Sequence, residues 1–95
     1  MHHDRVEIMP EVPKRGQEVD IHYKGILYQN GADSMWVHYG FDGWSNATDL
    51  QMQRQGDNFF CKIKVDGRKD INLAFKDSAN HWDNNGGLNW NFNIK

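Results

Sequence analysis

Apolar side chains recur at every second position through most of this chain. That period is the signature of strands with one buried and one wetted face. Val19, Ile21 and Tyr23 alternate with Asp20, His22 and Lys24. In the next run Val37 and Tyr39 fall on one face, and Trp36 and His38 on the other. Leu50 and Met52 alternate with polar neighbours in TDLQMQ. Phe59, Cys61, Ile63 and Val65 share a face opposite Phe60, Lys62 and Lys64. Ile71, Leu73 and Phe75 alternate with Asn72, Ala74 and Lys76; Leu88, Trp90, Phe92 and Ile94 alternate with Asn89, Asn91 and Asn93. Val6–Met9 predicts a short edge strand that Pro10 and Pro13 end, since proline cannot donate to a ladder.

Turn chemistry punctuates these runs. YQNGAD (Tyr28 to Asp33) predicts a turn through Asn30 and Gly31, and Gln55-Gly56-Asp57-Asn58 a hairpin. Asp66-Gly67-Arg68-Lys69 turns the chain again. The sum is an all-β fold, an antiparallel β-sandwich of immunoglobulin-like layout with about seven to eight strands and turns every 8–12 residues or so. The alternating apolar sets are its inner faces, which places Trp90 and Leu88 in the core. One domain spans residues 1–95, with residues 1–4 read as appended or disordered. Its 95 residues hold one modest core and leave little room for a deep cleft.

Composition narrows the function classes. With 25% charged residues and a net charge of −2, the chain lacks the basic stripe that phosphate backbones demand, so no nucleic-acid partner is expected. No apolar run reaches membrane-spanning length, and the opening residues read as appended ones and not as a signal peptide. Cys61 has no partner cysteine and sits in an apolar alternation, as a buried thiol would. The expected state is a monomer within a larger protein, without a cofactor or metal.

The chemistry concentrates in WVHYGFDGW, Trp36 to Trp44, and in HWDNNGG, His81 to Gly87. Each delivers a tryptophan into a polar, glycine-containing loop where no core hides it. A flat indole can cover the apolar face of a pyranose ring, as aromatic platforms cover bases. The hydroxyl rim calls for neutral side chains that both donate and accept, which histidine and asparagine supply. Trp44 and Trp82 are the platform candidates, and His38, Asn84 and Asn85 the rim candidates. His38 is expected to address sugar hydroxyls through both ring nitrogens. Asn84 and Asn85 read equally well as turn formers. Trp36 shares the strand face of His38 and reads as a rim or cross-strand packing residue.

Other constellations are weaker. His22, His38 and His81 fit no zinc spacing. Asp77, Asp83 and Asn85 lack the regular acid spacing of a calcium loop. A glycosidase needs two carboxylates facing across a cleft, and nothing pairs Asp42, Asp49, Asp77 or Asp83. Lys62, Lys64, Lys69 and Lys76 read as a solvated face. An immunoglobulin-like protein–protein interaction domain, with the loop tryptophans as anchors, is the alternative from another class; its interface calls for a contiguous apolar patch, whereas these loops are Gly, Asn and Asp.

VHYGFDGW, the strand INLAFKD and HWDNNGGLNWNF together resemble the starch-binding carbohydrate-binding modules of family 25, with family 53 modules as near neighbours. The resemblance runs from about Glu18 to Ile94. It implies a non-catalytic β-sandwich that binds α-1,4-linked glucans such as starch, malto-oligosaccharides or glycogen. It also implies an extracellular setting, appended to an amylase-type enzyme or scaffold. The family's site of one histidine and two tryptophans falls on His38, Trp44 and Trp82, with Asn85 at the asparagine position that follows.

Overall fold

A computed structural model of the chain describes residues 6–95, apart from the side chains at positions 26, 46 and 86. The reading of residues 1–4 as appended or disordered lies outside the described residues. The strands are β1 Val6–Met9, β2 Glu18–Tyr23, β3 Met35–Phe41, β4 Ser45–Gln51, β5 Gln53–Gln55, β6 Asn58–Lys64, β7 Asp70–Asp77, β8 Trp82–Asp83 and β9 Trp90–Asn93. One short helix, Ile26–Gln29, and a 3₁₀ turn, Asn85–Gly87, complete the described elements. The helix is a difference from the expected plain turn at residues 28–33. It precedes the Asn30-Gly31 turn, in which Gly31 and Ala32 donate back to Tyr28 and Leu27.

Two antiparallel sheets result. One runs β1-β2-β6-β5. The other runs β4-β3-β7, with β8 and β9 both pairing the far edge of β7. The TDLQMQ run spans the two sheets. Gln51 ends β4 opposite Trp36, buried Met52 donates to the Met35 carbonyl at 2.7 Å, and β5 then pairs with β6. The alternation therefore holds across the break, while the hydrogen-bonding partners change.

The inner faces are the ones the two-residue period picks out. Val19, Ile21, Tyr23, Val37, Phe59, Ile63, Val65, Ile71, Leu73, Phe75 and Trp90 are buried and share one core. Tyr23 joins the two sheets: its ring stacks on Phe75 at 4.3 Å and meets the edge of Trp90 at 6.5 Å. Leu88 departs from the expectation and is 80% exposed. It follows the 3₁₀ turn rather than opening β9, so its place in the alternation is accidental. Asn89 at φ 58° then resets the chain into the strand.

Candidate functional site

Trp44 is held by a turn with three consecutive left-handed residues: Asp42, Gly43 and Trp44 have φ of 52°, 78° and 73°. Only the glycine adopts this region freely. A tryptophan there costs on the order of 1–3 kcal/mol and persists only where its surroundings impose it. The surroundings are visible. The Asp42 carboxylate accepts from the amides of Lys69, at 2.6 Å, and Arg68, at 2.9 Å. Those backbone donors hold the Asp42 carboxyl below its usual range. The amides of Asp42 and Gly43 donate in turn to Asp70, at 3.0 and 3.3 Å. Gly40 supplies the space, since a Cβ there would lie 2.9 Å from the Trp44 Cα.

Trp82 is set by a different device. In the two-residue strand β8, alternation sends Trp82 outward and Asp83 inward. Trp82 is 46% exposed; Asp83 is 5% exposed. A buried carboxylate needs partners, and the Tyr23 hydroxyl donates to it at 2.5 Å while the Asn85 amide donates at 3.2 Å. The Tyr23 oxygen also accepts from the Leu27 amide, which ties the short helix to the same anchor. Asp83 is thus a structural peg beneath the platform, not a ligand group.

Between the two lies His38, facing out from the middle of β3 opposite Asp49 on one side and Ala74 on the other. Its ring stacks on Trp44, with centroids 5.3 Å apart and planes 24° apart. It meets Trp82 at 5.6 Å and 88°. The two indole planes are therefore steeply inclined to one another. His38 Nδ1 lies 2.6 Å from Asp49 Oδ1. A carboxylate only accepts, so Nδ1 is the donor in this contact, and Nε2 is the nitrogen left to accept when the ring is neutral. The expectation that both ring nitrogens serve a sugar is revised accordingly: Nδ1 is committed to Asp49. Lys76 completes the network. Its ammonium donates to Asp49 Oδ2 at 3.0 Å and lies 5.3 Å from the centre of the Trp82 ring. The hydrogen bonds from His38 and Lys76 hold the Asp49 carboxyl below its usual range.

These side chains enclose an open cavity of about 350 Å³, walled by His38, Trp44 and Trp82, floored by Ala47 and Ala74, and edged by Asn84 and Asn89. The structure thus brings His38, Trp44, Trp82 and Asn84 together. Asn85 does not line the cavity. Its amide donates to the Asn89 carbonyl at 3.1 Å, and its φ of 57° shapes the turn. Asn84 serves both roles, since its Oδ1 also caps the 3₁₀ turn by accepting from Gly87 at 3.0 Å. Asn89, Ala74, Ala47, Asp49 and Lys76 are the residues of the candidate site that sequence reasoning did not place here. The legible signal was Ala74, a small residue on an otherwise polar, long-chained face.

An aromatic cavity with a neutral polar edge on one face of a β-sandwich describes a carbohydrate-binding module. The four aspartates from which a hydrolytic pair could be drawn are otherwise engaged: Asp42 with backbone amides, Asp49 with His38 and Lys76, Asp77 with His81, and Asp83 with Tyr23. Residues 19–75 match the family model of the starch/carbohydrate-binding module, family 53. The chain belongs to that family and is a non-catalytic binding domain. It is 31% identical over 90 residues to an alpha-amylase of Clostridium acetobutylicum, a match covering 93% of this chain and 12% of the amylase. It is 34% identical over 71 residues to a beta/alpha-amylase of Paenibacillus polymyxa, covering 70% of this chain and 6% of that protein. An alpha-amylase of Niallia circulans is 29% identical over 82 residues, 81% of this chain and 6% of the relative. The chain therefore spans only a small fraction of each of these relatives. No solved structure matches at a significant level.

Proposed function

We propose that this module binds α-1,4-linked glucans in the cavity of His38, Trp44 and Trp82, and so holds an appended amylase-type enzyme on starch or a related polysaccharide outside the cell. The observation that carries the reading is the inclination of the two indoles, fixed through His38. Inclined platforms suit a chain that coils, as an α-glucan does; a straight β-glucan asks for coplanar rings. The Asn84 and Asn89 amides edge the cavity where hydroxyls need donors and acceptors. His38 Nε2 accepts from one sugar hydroxyl. Trp82 and Asn84 lie beyond the segment matched to family 53, and their part in the site rests on the geometry of β8 and on the HWDNN likeness to family 25.

The domain acts as a monomer within a longer protein. Affinity electrophoresis in gels containing starch, cellulose derivatives or xylan tests the reading. Retardation by starch alone is expected, and retardation by cellulose derivatives but not by starch overturns it.

A further inference from the structure

We propose that bound glucan does not end at the His38 cavity but continues along the same sheet face over Trp36, a third indole that engages only the longer chains. The proposal rests on the reading of the His38 cavity as the glucan site. A second open groove, of about 380 Å³, presents the half-buried Trp36 and reaches Asp49 and Lys76, which touch His38 and Trp82 of that cavity. Gln51, Ser78 and Asn80 stand around it. As in the first cavity, a flat ring stands beside neutral amides, here joined by the Ser78 hydroxyl and the charged Asp49, Lys76 and Asp77.

Register makes the two grooves continuous. Trp36 and His38 are two residues apart on β3, so they share a face and lie about 6.7 Å apart along the strand. Across the sheet, Trp36 pairs with Gln51 on one side and Lys76 on the other, and Lys76 pairs with Trp82. Trp36 and Trp82 thus occupy one row with Lys76 between them. The Lys76 side chain crosses β3 to reach Asp49 Oδ2, so the ridge between the grooves is an ion pair. That pair is partly exposed and suits a chain of hydroxyls crossing it, whereas an apolar partner surface would have to desolvate it. The Trp36 indole has no hydrogen-bond or ring partner among the described residues, and it is only half-buried. It is a platform with a donor still to place.

The test is calorimetric titration of the domain with maltotriose, maltopentaose and maltoheptaose, on the wild type, Trp36→Ala and Trp36→Phe, with circular dichroism confirming the fold. Trp36→Ala is expected to weaken maltoheptaose about tenfold while leaving maltotriose within about twofold, because a stacking ring typically contributes that much. Trp36→Phe should recover part of the loss for the long sugar. Gln51→Ala, at an exposed position, should show the same length-selective loss on a smaller scale; it carries the test if Trp36→Ala fails to fold. Equal losses for the short and long sugars would mean that Trp36 only props His38, and would overturn the proposal, as would no loss for either. A wild type that binds no malto-oligosaccharide would instead overturn the underlying reading of the cavity.

Discussion

His38 stands between two demands that only a neutral, correctly protonated ring meets. Asp49 accepts the hydrogen bond from Nδ1–H, and Nε2 is to accept from a sugar hydroxyl. His38→Ala should cost about 1–3 kcal/mol of binding if it leaves a buried hydroxyl unpaired, and His38→Gln should retain part of it. Asp49→Ala leaves the imidazole in place but frees its tautomer and its orientation. The expected loss is about two- to tenfold in affinity, the usual worth of one hydrogen bond. Calorimetry with maltotetraose checks all three variants. Asp49 also gives stability a pH dependence. Its folded-state carboxyl titrates lower than the unfolded one, chiefly through the hydrogen bond from His38 and then that from Lys76. Its contribution is therefore complete above the unfolded value, near pH 4, and is lost as pH falls through the lowered folded value. Thermal melts from pH 3 to 7 should show the wild-type advantage over Asp49→Ala shrinking at the acid end. The platforms themselves follow stacking energetics: Trp44→Ala and Trp82→Ala should each weaken binding about ten- to a hundredfold with the fold intact.

The strands were legible because alternation is a local property. Val19, Ile21 and Tyr23 had to share a face whatever they packed against, and Trp90 and Phe92 had to face inward once Asn91 and Asn93 faced out. Leu88 misled because alternation does not register the left-handed Asn85 and Asn89 that bracket it. The site was half legible for a related reason. Trp44 and Trp82 are conspicuous in polar loops, whereas the link from His38 to Asp49 and Lys76 depends on cross-strand register, which one strand's sequence does not carry. Two substitutions separate anchoring from binding at this scale. Trp90→Ala should destabilise the domain by about 3–5 kcal/mol, read from denaturant melts, because it empties the contact between the sheets. Gly40→Ala should displace Trp44, whose Cα would lie 2.9 Å from the new methyl, at a cost of about 1–3 kcal/mol because the clash is with backbone. Its signature is lost starch retardation in a domain that melts lower but still folds.

At the scale of the whole molecule, one sheet carries the proposed binding surface and the opposite sheet provides its backing. The thiol of Cys61, inside that backing, is a built-in reporter. Burial, with a smaller push from the Asp20 charge, moves its pKa up to about 12. The thiol stays protonated and unreactive in the folded domain. Alkylation by iodoacetamide near pH 8 should be slow in the native state and fast in denaturant. Saturating maltoheptaose should slow it further if binding stabilises the same folded state. The turn that holds Trp44 has a consequence of another kind. Asp42 and Asp70 pin it before any ligand arrives, and Asp83 does the same for Trp82. Among the described residues both platforms are held in place by hydrogen bonds within the fold, so encounter with the glucan is governed by diffusion and orientation. Short and long glucans should then arrive at similar rates and differ in residence time, the longer chain staying for as long as its extra rings keep their stacks.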